Sequence, residues 1–498
     1  MRLVPIGIAM LGDERKSVME KLEGDCIKRM NRLAEILRAK VKYINGQAPE
    51  VVVAPKVISS VRDSKEIGEY FVRNGVKILI LQYYIWDYPY LVWPLINILG
   101  KDKPILSVSN NEGEYPGNVG LLATDGALRQ AGMITHRIIG DIEDPRIQEE
   151  IVNWVMAAET YMSLRGQVFG IYGGHSMGME TGYFHMIPVQ KKFGVTAYQV
   201  DQLLLTKYME RVPEEEVEKG FNWLTKMLGD RIKYDGKMLT PEKLKKQLKL
   251  YLAMKMINEE YGFDFCGIKG QRELTEHVVI TDVAEMLMND PYDWNGPKEP
   301  FVCSTEADAF GALTMQILKY VSGGLPVLFA DVRLYVPEKD LWIFANSGNH
   351  ASWYVNRSFN PEENFKKVTL WPAIEMYFPA GGASVEFDAA PGEMTFARLG
   401  IYDDKIYMVI VRGESVDLPE DEKKKLRDQT NPTWPHMYVK LKATFEEFIN
   451  MFPANHIHGI PGNHVERLVK FCEIAGIEPI VLGEDKEKFR PPLWKIIK

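Results

Sequence analysis

The chain has 498 residues, 46% of them hydrophobic and 26% charged, a composition of folded globular proteins and a length that exceeds one hydrophobic core and suggests about three domains. Sixty Lys and Arg against 68 Asp and Glu leave a net charge of −8, with no block of five or six like charges, so neither nucleic acid nor an anionic membrane is an expected partner. No apolar run reaches the length of a membrane-spanning helix.

The N-terminal MRLVPIGIAML has one arginine, a short apolar run and no small-residue cleavage site, and charge follows at once in GDERK. It reads as a buried first strand and not as a signal peptide. Residues 14–39 have helical periodicity, and VKYI, VKILIL and PILSVS read as further strands with helices between them. Strand–helix alternation implies a mostly parallel sheet covered on both faces. A long helix over 144–165 closes this unit. A second α/β unit runs from QVFGIYG (167–173) through TAYQVD, helices at 213–230 and 240–262, DFCGIKG, FVCST, another helix and PVLFADV. Beyond about residue 335, short strands such as LWIFANSG, VTLWPA, ASVEFDAA, MTFARLG and KIYMVIVRG alternate with Gly, Pro and Asp turns, the spacing of a β-barrel or antiparallel sheet. Helices are expected near 444–451 and 464–476. Cys26, Cys266, Cys303 and Cys472 are far apart and form no C-x-x-C pair, so reduced, buried thiols of a cytoplasmic protein are expected.

The stretch YGGHSMGM (172–179) fits G-x-S-x-G, the nucleophile elbow of α/β-hydrolases. Gly182 and Pro188 interrupt the helix that should follow Ser176, and no His-Gly oxyanion loop precedes it. A glycine-rich turn at the carboxyl edge of a parallel sheet, where ligands tend to bind, is the better reading.

More chemistry lies in residues 301–335. Phe301–Thr305 reads as a strand, 307–321 as a helix stopped by Gly323-Gly324, and Pro326–Ala330 as the next strand. Glu306 and Asp331 then each follow a strand end. If the two strands are parallel neighbours, both carboxylates emerge at one edge, close enough to share a cation. The competing reading gives Glu306 and Asp308 to a helix N-terminus and Asp331 to a turn. Three of only nine histidines fall in PANHIHGIPGNH (453–464), and His350 lies in ANSGNH. A histidine joined to two carboxylates suits Mn²⁺, Mg²⁺ or Co²⁺ better than structural zinc. No H-E-x-x-H is present, which disfavours a zinc protease.

The segments GGHSMGM, KGQREL (269–274), STEADAFGALTMQIL, FADVRLY, TNPTWPH (430–436), PANHIHGIPGNH and FRPPLW (489–494), in this order, resemble the L-fucose isomerase family. GDERKSVMEKLEG and DGALRQAG (125–132) extend the resemblance more loosely into the N-terminal third. The resemblance implies two doubly wound α/β domains, 1–165 and 166–325, and a C-terminal domain with a β-barrel, 326–498. It implies a cytoplasmic aldose–ketose isomerase acting on L-fucose, D-arabinose or both through a cis-enediol. By motif, Mn²⁺, with Co²⁺ or Mg²⁺ as substitutes, falls to Glu306, Asp331 and His456, and Glu306 and Asp331 also form the acid/base pair, either one fitting as the C2 base. Gln271, Trp434 and Asn455 match sugar-binding positions, with Arg15 and Trp86 from the first domain. The family implies a homo-oligomer, a hexamer, in which the first domain of one subunit completes the site of another. His350 is a candidate fourth ligand, since the related arabinose isomerases use two histidines, and His458 is an alternative to His456. Ser176 becomes a turn residue near a domain interface. A metal-dependent hydrolase or aldolase, and a non-catalytic sugar-binding protein, are the rival readings.

Overall fold

The computed structural model describes residues 3–111, 114–115, 117–347 and 350–484. The motif FRPPLW therefore lies outside the described residues, as do Gly348 and Asn349. The chain divides into two compact units, Met1–Ser163 and Leu164–Lys498.

In the first unit, β1 (Ile6–Met10), β2 (Val51–Val53), β3 (Ile78–Tyr83), β4 (Ile105–Ser109) and β5 (Thr135–Ile139) form a parallel sheet in the order β2-β1-β3-β4-β5. Every residue of β1, β3 and β4 is buried, as expected where helices cover both faces. The strand order reverses between β1 and β3, which opens a crevice at their carboxyl ends. Arg15 and Trp86 lie on the loops after these two strands. Arg15 precedes the helix Lys16–Lys40 and is paired with Asp13 at 2.5 Å. Trp86 is 40% exposed, so its indole is not a core group of this unit.

The segment VKYI, expected as a strand, makes no ladder. Val41 is spent on ending the preceding helix, its N–H bonded to Leu37 O. Its alternation is real, since Val41 and Tyr43 are buried, but both pack from irregular chain, and β2 is the later Val51–Val53.

The second unit begins with β6 (Val168–Tyr172), β7 (Thr196–Val200) and β8 (Phe265–Ile268). After a two-residue hairpin of β9 (Tyr292–Asp293) and β10 (Gly296–Pro297) comes β11 (Cys303–Thr305). Four of these strands form a parallel sheet in the order β11-β8-β6-β7. The helix Pro241–Tyr261 has Thr240 as N-cap, Pro241 in its first turn and left-handed Gly262 at its end. The helix Ala309–Val321 after β11 is buried on every side.

The remaining strands are β12 (Leu328–Val336), β13 (Leu341–Ala345), β14 (Thr369–Pro372), β15 (Ala383–Glu386), β16 (Gly392–Tyr402), β17 (Lys405–Ser415), β18 (His436–Leu441), β19 (His456–Pro461) and β20 (Glu478–Leu482). Seven form one sheet in the order β16-β19-β12-β13-β18-β17-β20, and β14 pairs with β15 alone. β16 also pairs along its length with β17, through a turn in which Asp403 and Asp404 both have positive φ. The sheet thus folds back on itself, with a long β16–β17 ladder and a short β17–β18 one, and we describe it as a seven-stranded sheet. A single apolar core runs from Tyr172 and Cys266 on the parallel sheet to Leu328, Phe344 and Phe396 on the larger one.

The strands at Glu306 and Asp331 do not stand as their spacing predicts. The strands before Glu306 and around Asp331 are not parallel neighbours. β11 pairs with β8, whereas β12 is antiparallel to both β13 and β19. Gly323 and Gly324, both at positive φ, turn the chain out of the helix into the second sheet instead of back to the first. Asp331 consequently lies within a strand.

In the first unit the Glu159 carboxyl receives the Tyr43 hydroxyl and is 3% exposed. Burial raises it from the ordinary carboxylate range to about 7, against the Tyr43 hydrogen bond. The unfolded chain therefore loses this proton at lower pH than the folded one, and stability falls as pH rises from about 4.5 through 7. Glu159→Gln should melt with wild type near pH 4.5 and above it at pH 8, by on the order of 2–3 kcal/mol. Parallel melting curves across that range would contradict this.

Candidate active site

β11 ends at Thr305, and the next two residues, Glu306 and Ala307, both take left-handed φ of 56° and 49°. Such a conformation costs about 1–2 kcal/mol per non-glycine residue, and it aims successive side chains in different directions. Ala307 N bonded to Ile268 O at 2.9 Å holds the turn. Asp308 then caps the helix Ala309–Val321, its Oδ1 accepting from Gly311 N at 2.7 Å. Gly311 is needed there: a Cβ would lie 2.5 Å from Asp308 Oδ2 and 2.7 Å from Arg398 Nη1.

Asp331 on β12 is the direct cross-strand partner of His456 on β19, the spacing at which opposing side chains touch. A register shift follows between Val332 and Leu334, and Asn346 Nδ2 donates to Asp331 Oδ2 at 3.2 Å. Three carboxylates surround the His456 ring. Its Nε2 is 3.2 Å from Glu306 Oε2 and 3.3 Å from Asp331 Oδ1, and its Nδ1 is 2.7 Å from Asp308 Oδ2. The side chains of His456 and Asp308 are 2% and 0% exposed, those of Glu306 and Asp331 13% and 21%. Solvent and solutes therefore reach the site past Glu306 and Asp331.

Behind it stands Arg398 of β16, with no exposed surface. It grips Asp308 at two points, Nη1 to Oδ2 at 2.7 Å and Nη2 to Oδ1 at 3.0 Å. It also donates to His458 Nε2 at 2.9 Å and to Thr181 O at 2.8 Å. Burial would raise the Asp308 carboxyl, but the Arg398 charge and the His456 hydrogen bond hold it well below the usual range. Burial opposes charge on His456, yet the hydrogen bond to Asp308 and the close carboxylates of Asp331 and Glu306 lift it well above the usual imidazole range. Burial and then the Arg398 charge push His458 far down, so this ring is neutral. Glu285, buried behind this strand end, is raised far above the carboxylate range by burial.

Of the three histidines considered as ligands, His456 is the one beside both Glu306 and Asp331. His458 Nε2 is taken by Arg398. His350 is fully buried, and neither ring nitrogen makes a well-directed hydrogen bond. Burial and the nearby His436 lower it to about 3, and among the described residues it makes no ion pair with either carboxylate.

The other sequence candidates fall around this centre unequally. Gln271 is half-buried beyond the end of β8, the neighbour of β11, and so shares an edge with Glu306. Asn455 is exposed next to His456, its Nδ2 3.7 Å from Met179 Sδ. Trp434 is 9% exposed and packs with Ile280, Ala373 and Phe378, with the Arg333 guanidinium 5.4 Å from its ring centre. Arg15 and Trp86 belong to the first unit. The glycine-rich turn approaches the centre through Met179 and Thr181, and Ser176 within it is 2% exposed with no hydrogen-bond partner for Oγ. A hydroxyl with neither a base nor access is not an activated nucleophile.

Sequence reasoning missed Arg398 and Asn346 and read Asp308 only as a helix-start residue. The signal for Arg398 was present, since one arginine in the apolar MTFARLG is a charge that needs a buried partner.

Three family models match the chain: the L-fucose isomerase first N-terminal domain over residues 3–166, the second N-terminal domain over 258–323 and the C-terminal domain over 344–482. The L-fucose isomerase of Vibrio vulnificus (strain YJ016) is 25% identical over 99% of this chain and 96% of its own length. That of Haemophilus influenzae (strain KW20) is 25% identical over 99% and 95%, and that of Streptococcus pneumoniae (strain 70585) 25% over 97% and 94%. With matches along nearly its whole length, the chain belongs to the L-fucose isomerase family, whose members are intramolecular oxidoreductases that interconvert an aldose and a ketose.

Proposed function

We propose that this protein is a divalent-metal-dependent isomerase converting L-fucose to L-fuculose and D-arabinose to D-ribulose through a cis-enediol. The observation that carries the reading is the meeting of Glu306 and Asp331 at His456 Nε2, open on the carboxylate side, in a member of this family.

The donor set suits Mn²⁺, with Co²⁺ or Mg²⁺ as substitutes: two carboxylates and one imidazole nitrogen. His456 Nε2 is buried without a well-directed hydrogen bond, although two carboxylate oxygens lie 3.2 and 3.3 Å away. No three such side chains among the described residues already enclose an ion position, so binding would require the more exposed carboxylates of Glu306 and Asp331 to turn toward the ion. Glu306, Asp331 and His456 would hold the ion. When bound, it polarises the sugar carbonyl and acidifies the adjoining C–H and O–H groups.

The proton work belongs to the chain. One of Glu306 and Asp331 takes the proton from C2 of the open-chain sugar and returns it to C1. The other moves a proton between O1 and O2. Asn346 Nδ2 donates to Asp331 Oδ2, and Asp331 Oδ1 is the oxygen toward His456 Nε2. Gln271 and Asn455 offer amides to the sugar hydroxyls. Trp434 supplies an apolar wall, which its packing supports more than its exposure does.

Arg15 and Trp86 are assigned to sugar binding in a homo-oligomer, a hexamer. The support is an exposed Trp86 beside Tyr88 and Tyr90 at the switch edge of the first sheet, an aromatic surface suited to being covered. A C-terminal barrel built on the folded-back seven-stranded sheet belongs to the same proposal. Four buried cysteines that form no disulfide favour a cytoplasmic setting. Among the described residues no helix is long and apolar enough to cross a membrane.

Glu306→Gln and Asp331→Asn should each lower kcat by roughly 10²–10⁴-fold or more while the melting temperature stays near wild type. Near-normal turnover in either variant would remove that residue from the acid/base pair. His456→Ala should weaken Mn²⁺ binding, read by calorimetry, at least tenfold. If His350→Ala does so while His456→Ala binds normally, the ligand assignment moves to His350.

A further inference from the structure

β19 carries two histidines two residues apart, His456 and His458, which therefore project to the same side of the strand. Both rings pack on Phe329, with centroids at 4.5 and 4.9 Å. Only His456 faces Glu306 and Asp331, and the groups behind the strand account for the difference. Arg398 Nη1 donates to His458 Nε2 at 2.9 Å and so occupies that lone pair. The same guanidinium fastens Asp308, which meets His456 Nδ1 at 2.7 Å.

The donors around Asp308 fix which way the contact with His456 runs. Oδ1 receives Gly311 N at 2.7 Å and Arg398 Nη2 at 3.0 Å. Oδ2 receives Arg398 Nη1 at 2.7 Å. An ionised carboxylate held by this guanidinium only accepts. His456 Nδ1 must then carry a proton, and in the neutral ring Nε2 is left as a lone pair directed at Glu306 and Asp331.

We propose that Asp308, anchored by Arg398, is a positioning residue that fixes His456 in its Nδ1–H tautomer and presents Nε2 to a divalent cation, while Arg398 withholds His458 from the same role. This rests on the reading of Glu306, Asp331 and His456 as the metal set. It adds two residues that never touch the ion or the sugar, and it gives a reason why one of two adjacent histidines serves. Hydrogen-bonded carboxylates behind ligating histidines generally set the tautomer and the ring angle.

Asp308→Asn tests it at nearly constant side-chain volume; the amide nitrogen replaces an acceptor of Arg398 Nη1, so a lower melting temperature is expected whichever way the affinity goes. The Gly311 N–H is backbone and cannot withdraw, so the amide oxygen stays at the Oδ1 position and the NH₂ group turns toward His456. Nδ1 must then accept, and the ring proton moves to Nε2, where it covers the lone pair. Long-range ¹H–¹⁵N spectra, assigned by loss of the signal in His456→Gln, read this directly. The Mg²⁺-loaded wild type should show His456 protonated at Nδ1. Metal-free Asp308→Asn at alkaline pH should show it protonated at Nε2, and its Mn²⁺ affinity should fall by about 10–100-fold. A purely structural role would lower the melting temperature and leave the tautomer and affinity alone. The proposal is overturned if the loaded wild type carries no proton on Nδ1, or if Asp308→Asn binds Mn²⁺ as tightly as wild type. If Asp308→Asn does not fold, the wild-type tautomer decides alone. A wild-type protein that takes up neither Mn²⁺ nor Mg²⁺ would overturn the metal reading and this inference together. Normal wild-type uptake with an unaffected variant would overturn this inference only.

Discussion

Asp308 and Arg398 form an ion pair with no exposed surface on either side chain, and most of the site is built outward from it. Taking two charges out of water costs several kcal/mol per ion, repaid only when the remaining hydrogen-bonding positions are filled. Here Gly311 N–H, His456 Nδ1, His458 Nε2 and Thr181 O fill most of them. These four partners come from three parts of the unit: a helix start, the strand β19, which supplies both histidines, and the chain beyond the glycine-rich turn. One electrostatic contact thus ties the parallel sheet, through Asp308, to the larger sheet, through Arg398 and the histidines. The left-handed pair Glu306-Ala307 is tolerated in this setting, because the residues on either side of it are fixed.

The fold was legible wherever periodicity and punctuation agreed. The long helices after Thr240 and after Asp308, and the buried strands β1, β3 and β6, follow from apolar spacing and capping residues. VKYI misled because alternate burial also occurs in irregular chain packed on a core. The larger sheet was legible as short strands and turns, but not its pairing, which depends on contacts between distant segments. PANHIHGIPGNH stood out in the sequence only for its histidines, and its central HIHGIP is a strand buried along nearly all its length.

The same division holds for the site. Glu306, Asp331 and His456 were chosen by motif, and the structure brings them together, though by a route other than the one expected. The expectation used adjacent parallel strands; the actual arrangement sets a strand end against an antiparallel pair from another sheet. Asp308 and Arg398 are 90 residues apart in sequence, and no local pattern joins them. The serine of G-x-S-x-G shows the reverse case, a motif with the right letters and no base or access. The rival readings, hydrolase, aldolase or sugar-binding protein, share the carboxylates and differ in whether mass is conserved and whether turnover occurs at all. Membership of the L-fucose isomerase family favours isomerisation.

The most direct test of the central claim is proton NMR of the metal-stripped protein with L-fucose, and separately D-arabinose, in D₂O before and after Mn²⁺ is added, with the ion removed before spectra are recorded. The account predicts ketose formation only after Mn²⁺ is supplied, with deuterium entering at the carbon that exchanges its proton. Bound Mn²⁺ without ketose from either sugar or from a wider panel of aldoses, or ketose formed at full rate without the ion, would contradict it.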